Sequence, residues 1–150
     1  MPSNRTHDRI TRALVVLSMG LIVLWWQLGL DTAFITGMSV LFGGYYLSPD
    51  LDIYSVPYRR WGWIRWIWKP YQRFFGHRNF WTHAPVVGTV VRLLWLTPIW
   101  LPLFVFFQPN WVYAGYLALG LEIAAFAHWL TDLMESVINY PYRKLSGFKS

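Results

Sequence analysis

Four histidines and most of the carboxylates are the side chains in this sequence with the chemistry to hold a metal ion. The chain has no cysteine, which excludes thiolate ligands, disulfides and cysteine nucleophiles. Imidazole nitrogen and carboxylate oxygen are then the donors left for zinc and other first-row divalent ions. They come in short groups: His7 beside Asp8; Asp50 and Asp52 in Ser48-Pro49-Asp50-Leu51-Asp52; His77 and His83 in His77-Arg78-Asn79-Phe80-Trp81-Thr82-His83-Ala84-Pro85; and His128 four residues before Asp132. Residues i and i+4 lie about 40° apart around a helix, so His128 and Asp132 can reach one ion, with Glu135 on the same face. Pro49 suits an irregular turn that lets Asp50 and Asp52 converge. Thr82 is suited to cap a following helix and Pro85 to occupy its first turn. Singly, each group has an ordinary reading, as a satisfied polar residue or a loop carboxylate. Their conjunction points to metal.

The surrounding sequence is that of a membrane protein. It is 55% hydrophobic, 20% aromatic and 13% charged, against about a quarter charged in soluble domains. Apolar stretches at 13–30, 32–47, 86–107 and 111–130 predict an all-α, polytopic helical bundle of about four transmembrane helices. Each is near the length that crosses a hydrocarbon core of about 30 Å. The second is the shortest, and its Gly37, Gly43 and Gly44 allow close helix packing. Pro98 and Pro102 kink or split the third. The first is longer than a signal-peptide core and lacks a small-residue cleavage site, so it reads as retained. The whole chain, 1–150, reads as one domain with an interfacial aromatic and basic segment at 53–84.

Charge sets the orientation. Of thirteen basic residues, Arg92 alone falls inside an apolar stretch; the others lie at the two ends and in 53–84. The positive-inside rule places both termini and the middle segment in the cytoplasm. All four histidines and the aspartates grouped with them then fall at that one face. The alternation of Trp61, Trp63, Trp66 and Trp68 with Arg59, Arg60, Arg65 and Lys69 fits headgroups and anionic lipid. Its proximity to the spans argues against nucleic acid as a partner. Glycine-bearing and aromatic helix faces could support a homo-oligomer. Glu122 can pair with Arg92, orient a ligand or be one itself; Arg92 can also snorkel to the face and hold a phosphate.

The set Ser48-Pro49-Asp50-Leu51-Asp52, His77-Arg78, Thr82-His83 and His128-x-x-x-Asp132 resembles the YdjM-like family of membrane-bound metal-dependent hydrolases. The run from His77 through Pro85 to Thr89 is closer to a related family of bacterial metal-binding membrane proteins, frequent in cyanobacteria. Asn79 stands where YdjM-like members tend to have glycine, and the two histidines are one residue further apart. The resemblance implies His7, Asp50, His83, His128 and Asp132 as ligands, followed by His77 and Asp52. It extends distantly to zinc-dependent phospholipase C and P1-type nucleases, which implies zinc, with iron or manganese as alternatives. Four histidines fit one or two ions better than three. The implied activity is hydrolysis of a phosphoester, a lipid headgroup being one such substrate. Asp52 or Asp132 would accept a proton, and Arg78 or Arg92 would hold the phosphate. The rival expectation is a non-catalytic metal site with a structural or sensing role.

Overall fold

A computed structural model of the protein describes the backbone of residues 4–24, 29–77 and 79–145 and the side chains of 8–24, 29–77 and 79–137. Three long helices make the frame: α1 (Asn4–Leu24), α2 (Leu30–Tyr45) and α8 (Trp111–Leu145). Between α2 and α8 lie a 3-10 turn (Pro49–Asp52), α3 (Val56–Arg60), a second 3-10 helix (Gly62–Ile67), α4 (Trp68–Phe74), α5 (Phe80–His83), α6 (Val87–Trp95) and α7 (Thr97–Phe107). The described elements are all helical, as the apolar pattern predicts.

α2 is the centre of the frame and packs against both α1 and α8. Its buried side is made of small residues, including Thr32, Ala33, Thr36, Gly37, Ser39 and Gly43, which lets backbones approach closely. A Cβ on Gly120 of α8 would stand 2.5 Å from the Thr36 carbonyl oxygen, and one on Gly43 would stand 3.0 Å from the Ala124 side chain. The Ser39 hydroxyl closes the seam by donating to the Leu117 carbonyl. This α2–α8 contact fixes the height of α8, and so of His128 and Asp132, against the turn that follows α2.

The middle segment is folded on itself rather than spread along a surface. Trp68, Tyr71 and Leu51 are fully buried, and Leu47, Tyr58 and Leu96 complete a core beside the helical frame. Trp63, Trp66 and Phe74 point outwards. Pro70 does not end a helix, as its ring geometry could require; it sits in the first turn of α4, where a missing N–H costs nothing. The Arg60 guanidinium pairs with Asp8 at 2.5 Å and stacks over the Tyr45 ring at 4.5 Å, tying the start of α1 to this segment.

The expected four-span pattern is not confirmed: among the described residues neither α1 nor α2 is long and apolar enough to count as a span, and the expected third span is broken. α2 has 16 residues, or about 24 Å of helix, short of a core of about 30 Å. The expected third span is two helices, α6 and α7, bent by 79°. Pro98 lies in the first turn of α7, and its ring and absent N–H break the helical ladder just upstream, at Leu96. Among the described residues one helix, Trp111–Val137, is long and apolar enough to cross a membrane, or two if the bent pair counts as one span.

Candidate metal centre

Three elements supply the site. The 3-10 turn after α2 carries Asp50 and Asp52, α5 ends on His83, and α8 carries His128 and Asp132 one turn apart. Pro49 starts the 3-10 turn with its fixed φ, and the Ser55 hydroxyl holds it by donating to the Asp50 carbonyl at 2.7 Å. α5 is capped by Asn79, whose side chain accepts from the Trp81 N–H at 3.2 Å. Thr82, expected as a helix cap, is instead fully buried within α5 and turned towards Asp52.

The two ring nitrogens of each central histidine face different groups. Asp50 Oδ1 lies 3.6 Å from His83 Nε2 and 3.6 Å from His128 Nε2, and Asp132 Oδ2 lies 3.5 Å from His128 Nε2. The donor atoms of His83, His128 and Asp132 lie within 4.8 Å of one another. These separations exceed a good hydrogen bond. The three separations of histidine nitrogen from carboxylate oxygen are close to the spacing, about 3.3–3.4 Å, expected between donors that lie about 2.0–2.1 Å from one tetrahedral ion. His83 Nε2 is buried and makes no hydrogen bond, an arrangement that costs free energy unless something else satisfies the nitrogen. A divalent ion does so, and two imidazoles with two carboxylates are donors such an ion accepts. The residues present fit the group.

A second layer holds the rings. An ion held on Nε2 would leave the proton on His83 Nδ1, which lies 2.9 Å from Thr82 Oγ1; that hydroxyl has the Asp52 Oδ2 carboxylate at 3.1 Å and the Asn79 carbonyl at 3.0 Å as acceptors. Asp52 Oδ1 lies 3.2 Å from His77 Nδ1. On the other side, Ser48 Oγ stands 3.5 Å from His128 Nδ1. A metal-bound histidine commonly places its far nitrogen on such a partner, which fixes tautomer and tilt. Burial alone would raise the Asp50 carboxyl, but the neighbouring imidazoles of His128 and His83 outweigh it and hold the group below the usual carboxylate range.

The structure thus sorts the residues named from the sequence. Asp50, His83, His128 and Asp132 converge through atoms suited to bind. Asp52 has a wholly buried side chain engaged with Thr82 and His77, and it belongs to a second group of possible ligands with Asp50, His77 and His83. His77 reaches the cluster through Asp52, with its donor atom within 4.8 Å of those of Asp50, Asp52 and His83. Arg92, expected to hold a phosphate or pair with Glu122, is 2% exposed and donates to the Thr82 carbonyl and Thr89 Oγ1. A substrate phosphate cannot reach it there. Arg78 and the His7 side chain lie outside the described residues. Thr82 and Ser48, as supports of the two rings, were not legible from residue type; only their adjacency to His83 and Asp50 hinted at it.

Residues 2–116 match the model of a family described as "Uncharacterized metal-binding protein (DUF2227)". The chain belongs to this metal-binding family. The matched stretch contains Asp50, Asp52, His77 and His83 and stops before α8 supplies His128 and Asp132. An uncharacterized protein of Aquifex aeolicus (strain VF5) is 43% identical over 61 residues, which is 40% of this chain and 43% of that protein. The chain therefore spans less than half the length of that relative. No solved structure matches this member of the family.

Proposed function

We propose that this is a membrane-embedded metal-dependent hydrolase acting on a phosphoester at the cytoplasmic bilayer face. The observation that carries the metal centre is the spacing of His83 Nε2 and His128 Nε2 around Asp50, at 3.6 Å each. Two histidines and one carboxylate form the ligand set of many catalytic zinc sites, which leave a position open. A divalent ion bound there supplies Lewis acidity, polarising a phosphoryl oxygen and acidifying water. Asp132, whose side chain is 19% exposed, would take a proton from an approaching water. Arg78, next to His77 in sequence, is the remaining basic candidate for holding the phosphate charge.

Membrane residence is supported by what lies on the outside of the helices. Leu17, Leu21, Phe34, Leu94, Phe106 and Val112 are large apolar residues exposed on successive helices. Only 22% of the most apolar window of Trp111–Val137 is buried inside the molecule, whereas the central helix of a water-soluble fold is covered on most sides. Lipid is the solvent that tolerates such a surface. Exposed Trp63 and Trp66 beside Arg59 and Lys69 suit the headgroup layer.

A second reading is a closed, non-catalytic site. Asp132 Oδ2 lies as near to His128 Nε2 as Asp50 Oδ1 does, so Asp132 would serve as a fourth ligand in place of solvent. Metal content, melting temperature and phosphodiester hydrolysis of detergent-purified protein test both readings. Asp132→Ala should keep its ion and lose turnover in the hydrolase, but lose ion and stability in the closed site. A preparation without metal, whose melting ignores added zinc, would end both.

A further inference from the structure

Arg92 and Glu122 are the two charges carried by the apolar stretches, and each is spent on the same short piece of backbone. Arg92 Nη1 donates to the Thr82 carbonyl at 2.7 Å, immediately before His83. Glu122 Oε1 accepts the Val86 N–H at 2.6 Å, three residues after His83. Between these two points the chain reverses from α5 into α6. Val86 has φ 63° and ψ −61°, and the Val87 N–H returns to the Pro85 carbonyl at 2.7 Å. That is the strained form of the γ-turn, a rare conformation for a β-branched residue. Such a turn persists only when its surroundings hold it. Gly88 makes the hold possible, because a Cβ there would lie 2.5 Å from the Thr82 carbonyl oxygen and 3.2 Å from Arg92 Nη1.

Resting on the metal-centre reading, we infer that Arg92 and Glu122 are positioning residues that set His83 Nε2 against His128 Nε2. Glu122 shares α8 with His128 and Asp132, so the rigid helix that carries the His128 ring also braces the turn behind His83. The carboxylate is needed as a hydrogen-bond acceptor for Val86, and its charge is balanced by the guanidinium on the other side of the same segment. Neither group touches the ion.

Cobalt(II) titration of the full chain in detergent, read by ligand-field absorption and by competition with zinc, tests this. Glu122→Met keeps an apolar, similarly sized side chain without the acceptor; it should weaken cobalt binding about 10- to 100-fold, the range typical for lost ligand-supporting groups, and alter the absorption envelope. Glu122→Gln retains an acceptor oxygen and should bind close to wild type. Val86→Gly adopts positive φ without strain, so the Val86→Gly/Glu122→Met double variant should recover most of the lost affinity; it also serves if Glu122→Met alone does not fold. Unchanged affinity and spectrum in Glu122→Met, or no recovery in the double variant, would overturn the inference. Wild-type protein that takes up no cobalt would overturn the metal centre itself and the inference with it.

Discussion

His128 Nε2 and Asp132 Oδ2, one turn apart on α8, stand 3.5 Å from each other. The same His128 Nε2 lies 3.6 Å from Asp50 Oδ1, and the donor atoms of His83, His128 and Asp132 lie within 4.8 Å of one another. The expected stoichiometry is one divalent ion per chain, measured by elemental analysis of purified protein. His128→Ala should remove it, because α8 then offers Asp132 alone. Two ions per wild-type chain would mean that Asp52 and His77 form a second site rather than the supporting layer described above.

Asp50→Asn and Asp52→Asn should separate by degree. Asp50 presents Oδ1 to both imidazoles, so neutralising it should abolish binding at micromolar metal. Asp52 acts through Thr82 and the far nitrogen of His83. Its loss should weaken zinc about 10- to 100-fold while leaving stoichiometry intact at saturation. Isothermal titration against a chelator of known affinity distinguishes the two; equal loss in both variants would make Asp52 a ligand.

Chelation should lower the melting temperature in proportion to how tightly the ion was held. The 3-10 turn, α5 and α8 meet at the site, and without an ion His83 Nε2 is left buried with no hydrogen bond. Linkage gives about 2.7 kcal/mol of stabilisation at a free metal concentration a hundred times Kd. A melt that rises with added zinc in wild type and stays flat in His128→Ala is the expected result.

How much of this was legible in the sequence follows from what kind of interaction decides each feature. Helical class and the ligand types could be read because hydropathy and donor chemistry are local properties. The approach of Asp50, His83 and His128 to one another depends on how α2, α5 and α8 pack, which no single segment of sequence states. The break at Leu96 was foreshadowed by Pro98, but its 79° angle depends on what α6 and α7 pack against. Burial of Trp68 and Tyr71 could not be told from exposure of Trp63 and Trp66, since all four sit in one aromatic and basic run. The backbone partner of Arg92 was hidden for a related reason: a lone arginine in an apolar stretch gives no sign of a carbonyl ten residues upstream as its acceptor. Gly88, the residue that lets it reach Thr82, carries no chemistry to notice.

Gly88→Ala should therefore cost more than a glycine-to-alanine change in a helix normally gains. In an open helix the change is stabilising by up to about 1 kcal/mol. Here the new methyl meets the Thr82 carbonyl oxygen at 2.5 Å, which is backbone and cannot swing aside. Overpacking of this kind costs about 1–3 kcal/mol, and it pushes directly on the residue before His83. Both the metal-free melting temperature and zinc affinity should fall. Gly120→Ala, which meets the Thr36 carbonyl oxygen at 2.5 Å in the α2–α8 seam, should also lower the melting temperature, with its effect on zinc following only from the shift of α8. A Gly88→Ala protein as stable as wild type would show that α5 and α6 can separate freely.

Membrane residence predicts a specific ranking among the tryptophans of the middle segment. Trp63 is 85% exposed and Trp66 is 60% exposed, whereas Trp68 is fully buried against Tyr71 and Trp61. If the outer rings lie in the headgroup layer, vesicles of anionic lipid brominated near the top of the acyl chain should quench variants that retain Trp63 or Trp66 as the single middle-segment tryptophan. A variant retaining Trp68 alone should be quenched far less, because protein rather than lipid surrounds it. Replacing Arg59 and Lys69, both exposed beside these rings, with glutamine should reduce the preference for anionic over neutral vesicles by about 1 kcal/mol per charge. Equal quenching of all three tryptophans, or none, would place the segment away from the bilayer surface and remove the lipid headgroup from consideration as substrate.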